Sequence, residues 1–220
     1  MIHTLEADGI DLSFSGRKIL SDIYIKCETG KITGLLGRNG QGKSCLMQVI
    51  YGSLSVKSKS VRVDGSYIPD AYKRSDLLVY MPQFNFVPGA LKLERIFRDL
   101  EVEFSAFTRQ FPIYNQFFQS SISSLSGGQR RLVELYLIVM TKSHFAMLDE
   151  PFSHLSPIQI DQMKELIIDE KRNKGFLVTD HMYRHITEIS DNIYVLVNGK
   201  VHLTSSLEDI ENLGYAYLSK

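Results

Sequence analysis

"ITGLLGRNGQGKSCLMQVIYG", Ile32–Gly52, decides the fold. Its first five residues are apolar or small and read as a buried strand. Its last ten carry apolar positions at helical spacing and stop at Gly52. Between them "GRNGQGKS", Gly37–Ser44, fits the pattern G-x-x-x-x-G-K-[ST]. Glycines let such a loop curl until several backbone N–H groups converge on one anion. Lys43 adds positive charge for the β- and γ-phosphates, and Ser44 offers a hydroxyl to Mg²⁺. Gly37, Arg38, Asn39, Gly40, Gln41, Gly42, Lys43, Ser44 and Cys45 are therefore the expected nucleotide cradle. Without nucleotide, Lys43 is expected to face solvent.

Working outward, "IHTLEAD", "IDLSF" and "ILSDIYIKC" read as three early strands, ended by the "ETGK" turn. "SVKSKS" reads as a polar connection, "VRVDG" as a strand entering a turn, and "LLVYM" as a short buried strand cut off by Pro82. "HFAMLD", "GFLVTD" and "NIYVLV" read as later strands, and Asn198–Gly199 as a hairpin turn. "SPIQIDQMKELIIDEK" reads as a helix with Ser156 as N-cap and Pro157 at its first position. A second helix should run from Ser126 to about Thr141. Strands alternating with helices predict a mostly parallel α/β core, with the early strands and late hairpin as an antiparallel β portion.

A phosphate loop needs an acid on a neighbouring strand. "HFAMLDE" ends an apolar strand with Asp149 and Glu150. Acids there lie where α/β sheets bind ligands. Asp149 is the expected holder of Mg²⁺, and Glu150 the expected general base toward water.

A second glycine stretch, "SSLSGGQRR", Ser123–Arg131, precedes the apolar "LVELYLIVM". Paired glycines at a helix start suit an anion, yet this stretch carries no lysine. "SLSGGQ", followed by an acid pair twenty residues beyond Gln129, resembles the nucleotide-binding subunit of ABC transporters. The resemblance covers nearly the whole chain. It implies a P-loop ABC-type ATPase with a core over 1–82 and 142–210, a helical subdomain over 84–141 and a tail over 211–220. It also implies two subunits dimerising head to tail, a homodimer, so that Ser126, Gly127, Gly128 and Gln129 complete the partner's ATP site. Gln83 in "YMPQFN" matches the glutamine that reaches the metal or water. His181 in "LVTDH" matches the histidine that contacts the γ-phosphate, and Phe14 in "LSFSG" the aromatic that stacks on adenine. Where the family has "SALD", this chain has "SHLS", with Ser156 in place of the aspartate. Arg38 and Gln41 occupy variable positions, and Leu137, Ile138 and Val139 imply local repacking.

The chain has 220 residues, with 25 basic and 25 acidic side chains. Zero net charge argues against a protein that holds nucleic acid by backbone electrostatics. The N-terminus does not read as a signal peptide, and no apolar run is long enough to span a membrane. The two cysteines, Cys27 and Cys45, lack metal-ligand spacing. The expected location is cytoplasmic, on the inner face of a membrane through a separate transmembrane permease subunit. A soluble ABC ATPase for cofactor assembly, a small-molecule P-loop kinase and a binding-only subunit are the competing readings. Eight of the twelve phenylalanines lie between Phe84 and Phe118. A small insert has too little volume to bury eight rings. Phe84 and Phe86, just after Gln83, are expected to stay exposed and form the permease dock.

Overall fold

A computed structural model describes residues 1–204 and 206–214, so the tail expected over 211–220 lies outside the described residues from 215 onward. The chain opens with a hairpin. β1 (Thr4–Phe14) pairs antiparallel with β2 (Arg17–Glu28) through a turn at Ser15 and Gly16. Both turn residues have positive φ, 47° and 81°, which matches the twist of a two-residue hairpin. The two strands expected at "IHTLEAD" and "IDLSF" are one. Gly9, at φ 59°, absorbs a register shift between Ala7 and Ile10 without ending the strand.

β3 (Ile32–Leu36) is buried at all five residues. α1 (Lys43–Tyr51) follows the loop directly and ends at Gly52, whose left-handed backbone lets its N–H reach Gln48 O and Val49 O. β4 (Ser58–Val63) pairs with β1, and β5 (Ser66–Tyr67) pairs with β4, completing an antiparallel sheet in the order β2-β1-β4-β5. Ser58, Lys59 and Ser60, expected as polar connection, belong to β4.

β6 (Leu78–Met81), β7 (Phe145–Asp149), β8 (Gly175–Thr179) and β9 (Asn192–Val197) build the larger sheet with β3. β10 (Lys200–Thr204) closes one edge as the antiparallel partner of β9. The order is β10-β9-β3-β8-β7-β6, parallel from β9 to β6. One apolar layer lies between the two sheets and takes in α1 through Leu46, Met47, Val49 and Ile50. A second covers the other face of the larger sheet. Burial on both faces is why β3, β7 and β8 are nearly unbroken apolar runs.

The segment after β6 holds α2 (Leu93–Asp99), α3 (Phe104–Gln110) and a 3₁₀ turn at Pro112–Phe117. α4 (Gly127–Met140) and α5 (Pro157–Glu170) follow with their expected ends, each capped by serine and glutamine in a reciprocal box. α6 (Tyr183–Ile189) and α7 (Leu207–Asn212) are shorter.

The phenylalanine expectation needs correction. Of the eight rings, only Phe84 is exposed, at 66%, while Phe86 is half-buried against the core. The insert does not bury its rings alone. Phe97 and Phe107 stack 5.2 Å apart, and Phe107 lies 4.7 Å from Tyr136 of α4. The insert and the main domain thus share one core, and the volume limit of an isolated subdomain does not apply. Leu137, Ile138 and Val139 lie in the same core.

Candidate functional site

The carboxyl ends of β3, β8, β7 and β6 lie side by side. They deliver Gly37–Ser44, Asp180–His181, Asp149–Glu150 and Pro82–Gln83 to one edge of the sheet. A cavity of ≈ 470 Å³ opens there, lined by Phe14, Ile19, Asn39, Gly40, Gly42, Lys43, Ser44, Cys45, Gln83, Glu150 and His181. This is the edge at which α/β sheets take ligands. Gly37, Arg38 and Gln41 do not line it. Gly37 packs beneath the loop, where a Cβ would come within 2.9 Å of Leu196 O. Arg38 is exposed, and Gln41 Oε1 accepts the Asn198 N–H at 3.2 Å, tying the loop to the β9–β10 hairpin. Burial pushes the half-buried Cys45 thiol up, away from a reactive thiolate.

Lys43 is not solvent-facing. It is 7% exposed, and its Nζ donates to Gly37 O at 2.6 Å. The four-carbon stem folds back under the loop that α1 grows from. Burial pushes the ammonium's pKa down, and Glu150, Asp149 and Asp180 pull it back up. The cation therefore lies at the wall of the cavity.

Asp149 is 1% exposed. Its Oδ2 accepts the Tyr80 hydroxyl at 3.1 Å, while its Oδ1 is buried without a hydrogen-bond partner. Burial pushes this carboxyl above the usual range, and the neighbouring Ser44 and Tyr80 hydroxyls hold it down. An unpartnered buried carboxylate oxygen beside a serine hydroxyl suits a hard divalent cation, so these residues fit Mg²⁺.

Glu150 has its backbone at φ 49°, the left-handed region that a glutamate enters only at a cost. Its N–H donates to Thr179 O at 2.8 Å. Gln83 Nε2 donates to Glu150 Oε2 at 2.7 Å, and His181 Nδ1 lies 3.8 Å from the same oxygen. The three residues expected to be catalytic therefore meet at one atom. Phe14, 48% exposed at the end of β1, offers a ring to the cavity next to Ile19. Such a half-bare ring suits stacking on a flat base.

The second glycine stretch does not line this cavity. Ser126 caps α4 by accepting the Gln129 N–H, and Gln129 Oε1 accepts the Ser126 N–H in return. The Gln129 side chain is thereby occupied. Ser126 and Gly127 are exposed, and a Cβ on Gly127 would meet nothing within 4 Å. A Cβ on Gly128 would come 2.5 Å from His154 O.

The ABC transporter family model matches residues 20–153, more than half of the chain. The chain belongs to the ABC transporter family. Within that family, the lipopolysaccharide export system ATP-binding protein LptB of Haemophilus influenzae is 29% identical over 94% of this chain and 92% of its own length. A probable ABC transporter ATP-binding protein of Azorhizobium caulinodans is 31% identical, covering 94% and 79%. A solved ATP-binding subunit of an ABC transporter superposes with a TM-score of 0.79 over 94% of this chain and 92% of that one, at 22% identity, which supports the fold. This family member is an ATP-binding, ATPase-type subunit that works with a membrane component. Among the described residues no helix is long and apolar enough to cross a membrane.

Sequence reading missed two residues here, Ile19 on the cavity wall and Tyr80 against Asp149. Tyr80 looks like strand core in "LVYM", yet a buried tyrosine needs a partner for its hydroxyl. That need was the available signal. Ile19 carries no signal, since only the fold brings β2 beside the loop.

Proposed function

We propose that this chain hydrolyses ATP at a site completed by a second copy and drives a separate membrane-spanning subunit. The observation that carries the reading is the meeting of Gln83 and His181 on the Glu150 carboxylate, at the mouth of the Lys43 cavity. Glu150 Oε2 accepts a proton from water. The water oxygen bonds to the γ-phosphorus as the bridging bond to the β-phosphate breaks, leaving ADP and phosphate. Gln83 orients the base and the water, and His181 binds the γ-phosphate. Ser44, Asp149 and Gln83 would hold Mg²⁺, which neutralises charge on the β- and γ-phosphates. Phe14 stacks on the adenine. Ser126 and the N–H groups of Gly127 and Gly128 meet the nucleotide held by the partner copy, where the start of α4 favours negative charge. The exposure of Gly127 and the empty space over it support this role.

In this reading 1–82 and 142–210 act as the catalytic core and 84–141 as the arm that meets the membrane subunit, on the cytoplasmic face. Phe84, exposed next to Gln83, supports a dock there. Phe84→Ser should lose the membrane subunit in a pull-down and keep the basal ATPase rate within about twofold, as exposed substitutions do. Loss of the rate with the partner still bound would assign the ring to the ATPase core. Cargo is not carried over. LptB of Haemophilus influenzae and the probable branched-chain amino acid transport ATP-binding protein LivF of Archaeoglobus fulgidus are each 29% identical.

Glu150→Gln tests the chemistry. It keeps shape and hydrogen bonding but removes the base. ATP affinity should stay within about twofold while kcat falls roughly 10²–10³-fold. With ATP and Mg²⁺ the variant should elute as a dimer in sizing. Elution as monomer alone would break the shared-site reading.

A further inference from the structure

Arg131 is the largest side chain that the core closes over completely. It lies in the second turn of α4 and is 1% exposed. An arginine is almost never this buried without pairing to a carboxylate. Here main-chain carbonyls take both Nη groups, while Nε is buried without a hydrogen-bond partner. Nη1 donates to Pro82 O at 2.8 Å, and Nη2 donates to Asp149 O at 2.9 Å and to Glu150 O at 2.8 Å. Burial works against the charge, and Glu134, Asp149, Glu150 and Asp180 favour it.

The three carbonyls belong to two different strand ends. Pro82 follows β6 and precedes Gln83. Asp149 ends β7, and Glu150 follows it in the left-handed backbone. A rigid planar fork can hold both ends at a fixed separation; a lysine ammonium is a point charge and cannot. The Gln83–Glu150 hydrogen bond, 2.7 Å long, spans the same two strand ends.

We infer that Arg131 is a positioning residue for hydrolysis. It fixes the main chain on either side of the Gln83–Glu150 pair and joins both to the helix that begins at Ser126. This rests on the hydrolysis proposed above. Its consequence is a route between sites. A push on the start of α4 by the nucleotide of a partner copy reaches this chain's own base through one side chain. Glu134, three residues on, braces the same region. It accepts the Val87 N–H at 3.3 Å and Arg130 Nε at 3.1 Å, while Arg130 also bonds Val87 O.

The test uses Arg131→Lys and Arg131→Gln in the full chain, each alone and in the Glu150→Gln background. ATP dissociation constant, KM, kcat and Tm are measured for all. The positioning role requires nucleotide affinity within about twofold of wild type and a kcat roughly 10–100-fold lower, the scale of a small misplacement of a reacting group. In the Glu150→Gln background the same changes should lower kcat by less than about twofold more, because Arg131 acts through that base. Additive losses would overturn the proposal. So would an unchanged kcat, or a fall in affinity and Tm together in both variants, which would mark Arg131 as a structural residue only. A wild-type protein that binds ATP without turning it over would overturn the hydrolysis reading first, and this proposal with it.

Discussion

At Gly40 and Gly42 the backbone has φ of 79° and 103°, while Gly127 and Gly128 sit in an ordinary helix start. The first pair of glycines provides curvature. The second provides clearance, and each member for its own reason. Gly128 lets the chain pass under the His154 carbonyl, whereas Gly127 leaves open space on the surface. The loop at Gly37–Ser44 also encloses its own cation, with Lys43 folded onto Gly37 O. The stretch at Ser126–Gln129 encloses nothing, and its side chains cap their own helix. One loop is a receptor that closes within a single chain. The other, in the function proposed above, is half of one.

The comparison breaks most sharply at Lys43. Lys43→Ala should weaken ATP binding by at least ~100-fold, the cost of losing a charge-assisted contact in a buried site. Titration with a fluorescent ATP analogue measures it, and circular dichroism checks that the fold persists. Binding that survives within tenfold would mean the loop holds phosphate by backbone alone.

The two glycines of the second stretch should separate next. Gly127→Asp has room and should leave ATP affinity of the monomer nearly intact. Turnover should drop roughly 10²-fold, because a carboxylate would face the partner's γ-phosphate. Gly128→Ala should destabilise the monomer by about 1–3 kcal/mol, the usual cost of overpacking, whatever nucleotide is present. Equal melting temperatures for the two variants would erase the distinction between surface and packing glycine.

The smallest effect lies at Ser156. Its hydroxyl accepts the Gln159 N–H and donates to Gln159 Oε1, both within its own helix cap. Ser156→Ala should cost about 1 kcal/mol, as lost N-caps do, and lower Tm by roughly 2–4 °C. The ATPase rate at 25 °C should not change. A rate change larger than the stability change would give Ser156 a role between the two loops.

How much of this was legible follows the range of the interactions. The β3–loop–α1 unit, the capping serines and the acid pair are local patterns, and the chain folds as they say. The aspartate–metal fit was legible in kind. The burial of Lys43 was not, since it depends on how a flexible stem packs beneath a loop. Arg131 was invisible because its partners are carbonyls 49, 18 and 19 residues away, which no side-chain pattern encodes. The phenylalanine reading held for the exposure of Phe84 and failed for Phe86 for a related reason: it drew a boundary in sequence where the core has none.

The pairing of β3 has a consequence for synthesis. Its hydrogen-bonded neighbours are β8 and β9, beginning at Gly175 and Asn192. On a ribosome moving at about 5–20 residues per second, the strand that carries the phosphate loop waits roughly 10–30 s for its first partner to be made. During that time an apolar strand has no sheet to join, and nucleotide has no formed cradle to stabilise. ATP can reward this fold only after β8 and β9 have been made. A newborn chain therefore depends on whatever shields "ITGLL" until the strand beginning at Gly175 arrives.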